Sequence, residues 1–200
     1  MGSMLVLHWS GVSDSWYFSV LPWLVPGVAL ALVVSIATTG RLARWFSVPR
    51  VVAWVLIMST GVILAATMTP LGFEYKPEPQ WARSCDFSRV GPAGIADLIR
   101  PTDALGNLLM FIPLGFAIAL AARSFRKAAV LAIAFALPFL IEATQLVVTP
   151  LGRGCQSADV TDNLTGLGLG FTAGTVVAWL APPVARIIAM HSSQKTPRQP

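Results

Sequence analysis

Charged residues are scarce in this chain of 200 residues: Asp, Glu, Lys and Arg together make up 12%, against 55% hydrophobic residues. Soluble domains carry about 25% charged residues. Together with a mean hydropathy of +0.69, this scarcity excludes an ordinary soluble domain and indicates an integral membrane protein. Because the apolar stretches leave no room for a separate soluble domain, we expect one membrane domain over residues 1–190 and a disordered polar tail over residues 191–200.

Histidine is almost absent as well. The only two histidines, His8 and His191, lie at opposite ends of the chain and, in the topology predicted below, on opposite sides of the membrane. Their separation argues against a Ser–His nucleophile pair, a His-dependent phosphatase and a zinc site. Phosphate-loop and dinucleotide fingerprints are also missing, since the glycines follow no predicted strand. Carboxylates, amides and one arginine, Arg153, are left as candidates for chemistry.

Five apolar stretches approach the length that crosses a bilayer, whose hydrocarbon core of about 30 Å needs roughly 20 helical residues. They cover residues 17–38, 51–68, 104–122, 128–149 and 163–181. All should be helices, because lipid cannot satisfy the backbone polar groups of an isolated strand. The sequence therefore predicts an all-α transmembrane bundle of five helices.

Basic residues set the predicted orientation of this bundle. Nine of the fourteen Lys and Arg residues fall on one side, namely Arg41, Arg44, Arg50, Arg123, Arg126, Lys127, Arg186, Lys195 and Arg198. The positive-inside tendency then places the N-terminus outside and the C-terminus in the cytoplasm. The pI near 9.9 reflects this anchoring charge, so we expect no nucleic-acid partner.

The only two cysteines, Cys85 and Cys155, both fall in predicted outer loops. An oxidising exterior permits a disulfide between them, and two unpaired thiols are the alternative. A disulfide would join the long loop before the third predicted helix to the short loop before the fifth.

Three glycines recur every four residues in the last predicted helix: Gly166, Gly170 and Gly174. In lipid, small residues on one helix face let a second backbone approach closely. We interpret these glycines as a packing groove.

Polar residues recur near the predicted outer ends of the last three helices. Glu142 and Gln145 share one helix face, and Glu142 lies roughly 10 Å below the predicted helix end. The others are Asp103, Asn107, Arg153, Asp159, Asp162 and Asn163. A charge near the bilayer interior costs about 2.5 to 3.5 kcal/mol, so such residues usually face the bundle interior and a partner. We expect an outward-open pocket. A purely structural hydrogen-bond network is the alternative, as is helix capping for the two aspartates of the last helix.

The order of these motifs resembles the VanZ-like family of small membrane proteins. The run DALGNLLMFIPLGF (103–116) is followed by IEATQ, by Arg153 and by DVTDN ahead of the glycine-rich helix. The resemblance implies a compact helical bundle in the bacterial cytoplasmic membrane, associated with teicoplanin resistance. By position, the family's recurring residues match Asn107, Pro113, Gly115, Glu142, Gln145, Arg153, Asp159 and Asp162. The chain departs from the family pattern at Gly166, where an asparagine is frequent, and Asn163 instead follows Asp162 directly.

Three hypotheses for function follow from these residues. In the first, the pocket binds a membrane lipid, a lipid-linked envelope precursor or a glycolipid, through Asp103, Asn107, Gln145, Arg153 and Asn163. A glycopeptide antibiotic is a second candidate ligand. In the second, the protein is an enzyme acting on a phospho- or acyl-linked lipid, with Glu142 as general acid or base beside Asp159 and Asp162. In the third, it is a structural or assembly partner without ligand chemistry.

The charge of the predicted pocket conflicts with an anionic lipid, because four carboxylates face one arginine. A divalent cation held by Asp159 and Asp162 would resolve this conflict.

Overall fold

The computed structural model describes residues 21–72, 84–98, 103–121 and 125–194, and their side chains except for those of 97, 98, 125 and 181–194. The helices are α1 (Leu24–Phe46), α2 (Arg50–Thr67), the short α3 (Ile95–Leu98), α4 (Asp103–Leu120), α5 (Phe125–Val147) and α6 (Ser157–Gln194). A 3-10 turn, Thr149–Leu151, follows α5. The described residues contain no strand, only one isolated β-bridge.

Five of these helices, all except α3, are long and apolar enough to cross a membrane. This finding confirms the predicted all-α bundle with five spans. Contacts between helix ends show that the helices alternate in direction. At one end, Gln145 of α5 donates to the carbonyl of Thr67 at the end of α2. At the other end, Arg126 near the start of α5 donates to the carbonyl of Trp45 at the end of α1. Which end faces outside stays a prediction.

The helix ends differ from the predicted apolar stretches. α6 begins at Ser157 instead of residue 163, so Asp159 and Asp162 lie inside its first two turns. α1 continues to Phe46, past the predicted end at residue 38, and its predicted start at residue 17 lies outside the described residues. Hydropathy locates the apolar middle of a span, whereas backbone hydrogen bonds and caps decide where the helix ends.

The tail that was predicted to be disordered from residue 191 is helical as far as Gln194. Residues 195–200 lie outside the described part of the chain.

The helices α4 and α6 run parallel and make the closest helix contact in the described bundle. The three predicted groove glycines of α6, Gly166, Gly170 and Gly174, lie in turn against the backbone of Leu108, Ile112 and Phe116. A Cβ atom at any of the three would overlap the facing carbonyl oxygen. The packing groove is therefore confirmed, and its regular four-residue step fixes the register between the two helices.

An apolar core fills the space between α2, α4, α5 and α6. Ile63, Phe111, Ile118 and Ile141 are fully buried there. This core lies below the end of the bundle that carries the polar residues, and it keeps the polar groups confined to that end.

The predicted disulfide is present. Cys85 and Cys155 are bonded, with their Cα atoms 4.5 Å apart. Next to the disulfide, the Asp86 N–H donates to the Cys155 carbonyl at 2.8 Å, and the Ser157 N–H donates to the Asp86 carbonyl at 2.9 Å. The loop that follows Cys85 is thereby fixed to the start of α6.

We expect peptide mapping of the unreduced protein to recover the peptides of Cys85 and Cys155 as one linked species. After reduction the same digest should give two separate, alkylated peptides, which serves as the control. Labelling of both thiols before reduction would contradict the disulfide.

The α4–α6 contact predicts opposite effects for two neighbouring glycines. Gly170→Ala places a Cβ against the Ile112 carbonyl and should destabilise the protein by about 1 to 3 kcal/mol, as overpacking does. Gly168→Ala is the matched control, because a Cβ there meets open space and alanine favours the helix by up to about 1 kcal/mol. Thermal unfolding of both variants in detergent measures the difference. Equal midpoints would contradict the close approach of the two helices.

Candidate functional site

The polar residues selected from the sequence all lie at one end of the bundle, formed by the end of α5 and the starts of α4 and α6. We call them the polar cluster: Asp103, Asn107, Glu142, Gln145, Arg153, Asp159, Asp162 and Asn163, together with Arg89, which the structure adds. Most members are buried, and Asp103 is the only exposed one. The register of α4 against α6 is what brings the residues of these two helices to the same level.

Glu142 is buried, with 4% of its surface exposed. It lies five residues before the end of α5, which is about 8 Å along the helix axis. Its Oε2 atom accepts a hydrogen bond of 2.7 Å from the backbone N–H of Gln156. Arg153 and Asp159 are close enough to interact with it electrostatically. Glu142 therefore faces the protein interior and the loop before α6.

Gln145 lies one turn after Glu142 on the same face of α5. Its Nε2 atom donates to the carbonyl of Thr67, the last residue of α2, at 3.1 Å. This bond ties α5 to α2 and satisfies one of the carbonyl groups that a helix end leaves without an internal partner.

Arg153 is the central cation of the polar cluster. Its Nη2 and Nε atoms donate to the carbonyls of Ala66 and Thr69, at 2.5 and 3.3 Å, so the guanidinium caps the end of α2. Burial lowers the pKa of Arg153, and the carboxylates of Asp103, Asp159 and Glu142 act in the opposite direction, in favour of the charged form. Three carboxylates from three helices thus act electrostatically on Arg153, while its hydrogen bonds go to the end of α2.

Arg89 is the functional candidate that the sequence analysis missed. Its guanidinium makes a two-pronged ion pair with Asp162, with Nη1–Oδ1 and Nη2–Oδ2 distances of 3.0 and 2.5 Å. The backbone N–H of Ala93 donates to the same carboxylate at 2.9 Å. Asp162 is 0% exposed, so this pair neutralises a fully buried charge.

A signal for Arg89 was present in the sequence. The predicted disulfide places the residues that follow Cys85 beside the start of the last helix. In addition, the predicted pocket had too few positive charges to balance its carboxylates. The expected balance of four carboxylates against one arginine is wrong, because Arg89 supplies a second cation.

The residues present fit a divalent cation at Asp159 and Asp162 poorly. Both oxygens of Asp162 already accept hydrogen bonds from Arg89, which supplies the positive charge that a cation would bring. Within the described ranges, no group of three or more His, Cys, Asp or Glu side chains is placed to hold a metal ion.

Asn163 carries the one buried side-chain oxygen without a hydrogen-bond partner in the described part of the chain. The residue is 1% exposed. Leaving a buried polar atom unpaired costs about 1 to 3 kcal/mol, so its Oδ1 atom marks a place that an additional donor would stabilise.

A cavity of about 440 Å³ lies at the same end of the bundle, around the disulfide. It is lined by Ser84, Cys85, Asp86, Phe87, Gly154, Cys155 and Gln156. The two predicted disulfide cysteines line this cavity, but none of the residues predicted for the polar pocket does. Its link to the polar cluster is Gln156, whose backbone N–H is bonded to Glu142.

The family model described as VanZ/LLP1 matches residues 51–179 of the chain. Comparisons with curated proteins and with solved structures gave no match. The matched segment runs from α2 through the membrane span of α6 and contains every member of the polar cluster. The matched segment is well over half of the chain. This protein therefore belongs to the VanZ/LLP1 family.

Proposed function

We propose that the protein binds the headgroup of a lipid-linked or glycolipid molecule of the bacterial cell envelope at the polar cluster. The observation that carries the proposal is that Glu142, Asp162 and Asn163 are all buried at one end of a membrane bundle, the end that also carries Arg153. Burying charged side chains in a bilayer costs free energy. A cluster of this many charged and polar side chains therefore indicates that a ligand offsets part of that cost.

The chemistry of the polar cluster favours a headgroup rich in hydroxyl or amide donors. Its four carboxylates outnumber its two arginines, so the end is acidic and would repel a bare phosphate. Ionised carboxylates only accept hydrogen bonds, which suits sugar O–H and amide N–H groups. Arg153 is the group that would contact a phosphate linking such a headgroup to its lipid.

The unpaired Oδ1 atom of Asn163 supports the same proposal, since it lacks a donor that a sugar or amide would supply. The association with teicoplanin resistance that the VanZ resemblance implies belongs to this proposal as well. According to this proposal, the protein contributes to resistance by binding an envelope lipid at the outer face of the cytoplasmic membrane.

A structural or assembly role without a ligand is the second candidate, and one observation favours it. Gln145 and Arg153 both donate to the end of α2, and Arg89 is paired with Asp162. Bonds of this kind hold helices together whether or not a ligand is present.

The substitution Glu142→Gln separates the two candidates. Glutamine keeps the size of the side chain and an oxygen for the Gln156 N–H, and it removes the cost of a buried charge. A structural role therefore predicts an unchanged or slightly more stable protein. Ligand binding through the charge predicts at least about a tenfold loss of co-purified lipid, measured by native mass spectrometry on protein extracted from bacterial membranes.

The matched control is Asp86→Asn, because it removes one carboxylate at the same end but at an exposed position outside the polar cluster. It should keep the wild-type lipid. Teicoplanin susceptibility is measured in cells with equal membrane levels of each form, and Glu142→Gln should lose any resistance that the wild type confers. Wild-type behaviour of Glu142→Gln in both assays would contradict the proposed function.

A further inference from the structure

A long apolar groove with a volume of about 700 Å³ lies between α1, α2 and α5, and one of its lining residues, Leu114, comes from α4. Its lining follows α1 from Gly27 to Phe46, which is about 28 Å along the helix axis. The hydrocarbon core of a bilayer is about 30 Å thick. The groove therefore extends through nearly the whole hydrocarbon layer and is not confined to one leaflet.

Only three side chains in the lining of this groove carry a hydrogen-bond donor: Thr60, Thr69 and Trp45, whose indole lies at one end. Its two threonines, Thr60 and Thr69, donate their hydroxyl groups to carbonyls within α2 and at its end, at 2.8 and 2.7 Å. The remaining lining residues are aliphatic, aromatic, alanine or glycine. Such a surface suits a hydrocarbon chain, which needs no hydrogen bonds.

One end of the groove is continuous with the polar cluster. Thr69 lines the groove, and its carbonyl accepts the hydrogen bond from the Nε atom of Arg153. A molecule with a hydrocarbon chain in the groove would thus have its first polar group beside Arg153. The opposite end is bounded by Trp45, whose ring lies 5.2 Å from the Arg126 guanidinium.

We propose that the groove holds the hydrocarbon chain of the lipid whose headgroup lies at the polar cluster, and that this lipid is a long-chain polyprenyl phosphate carrying a sugar. The inference rests on the proposed function. An acyl chain of a diacyl lipid ends near the bilayer midplane, about 15 Å from the headgroup region, and would fill about half of the groove. A polyprenyl chain that crosses the midplane would fill the full length of the groove.

The test uses purified full-length protein in detergent and two probes with the same headgroup, long-chain polyprenyl phosphoglucose and geranyl phosphoglucose. Native mass spectrometry measures the bound fraction of each. The wild type should bind the long-chain probe at least about tenfold more tightly than the short one, since buried CH₂ groups contribute to affinity.

Val34→Trp fills the groove at a lining position of α1. It should reduce the affinity for the long-chain probe to that for the short one and leave the short one unchanged. The matched control is Val33→Trp, because Val33 is the adjacent exposed residue of α1 and lies outside the lining. This control should keep the long-chain preference.

The outcomes distinguish this inference from the proposed function. An unchanged long-chain preference in Val34→Trp, or no effect of chain length in the wild type, would overturn the groove assignment. Sensitivity of either probe to Glu142→Gln would in that case leave the headgroup site standing. Probe binding that Glu142→Gln does not alter would instead count against the headgroup site.

Two other results would also overturn the groove assignment. One is a wild-type dimer that Val34→Trp converts into monomers, since a second copy of the chain would then be the occupant. The other is the absence of binding for both probes, which would exclude this class of lipid while the co-purified lipid still tests the headgroup site.

Discussion

The backbone contact between α4 and α6 is the constraint on which the rest of the structure depends. The hydrophobic effect does not drive helices together inside lipid. Close packing between small residues therefore has to supply the attraction. Here the glycines of α6 lie directly against carbonyl groups of α4. A backbone contact of this kind allows no side chain to adapt, so the register of the two helices is fixed. That register places Asp103 and Asn107 beside Asp159 and Asp162.

The charges at this end of the bundle are held by the backbone as much as by one another. Arg153 donates to two carbonyls at the end of α2, and Asp162 accepts from the Ala93 N–H as well as from Arg89. Removing one partner of a buried ion pair costs about 3 to 5 kcal/mol. The disulfide holds the Arg89 loop in place, and a site held this firmly loses little entropy when it binds a ligand.

The sequence predicted those features that depend on composition, compartment and local spacing. Five spans follow from apolar length, the disulfide from the two cysteines in predicted outer loops, and the α4–α6 contact from glycines spaced by four. The match over residues 51–179 agrees with the resemblance to the VanZ-like family. All of these signals can be read without knowing how distant parts of the chain meet.

The features that escaped the sequence analysis depend on tertiary contacts. Arg89 lies in a loop rich in proline and glycine, 73 positions from the aspartate with which it pairs. In the sequence, an arginine in a loop between spans gives no sign of whether it has such a partner. The start of α6 was placed too late, because four of its first six residues are polar and hydropathy does not detect this stretch as part of a span. The roles of Gln145 and Arg153 at the end of α2 could not be read from the sequence for a similar reason.

The proposed binding site would account for the polar cluster better than helix association does, because helices can associate without the cost of burying charges. Hydrogen bonds between membrane helices contribute about 0.6 kcal/mol each on average, whereas each charge near the bilayer interior costs about 2.5 to 3.5 kcal/mol. The glycine contact already holds α4 to α6 without any charge. Burying Glu142, whose carboxylate accepts a hydrogen bond from the Gln156 N–H, is therefore a cost that packing does not require, and Asn163 adds an unpaired oxygen to it. The ligand proposed for this end of the bundle would offset such a cost, which a neighbouring helix does not need to do.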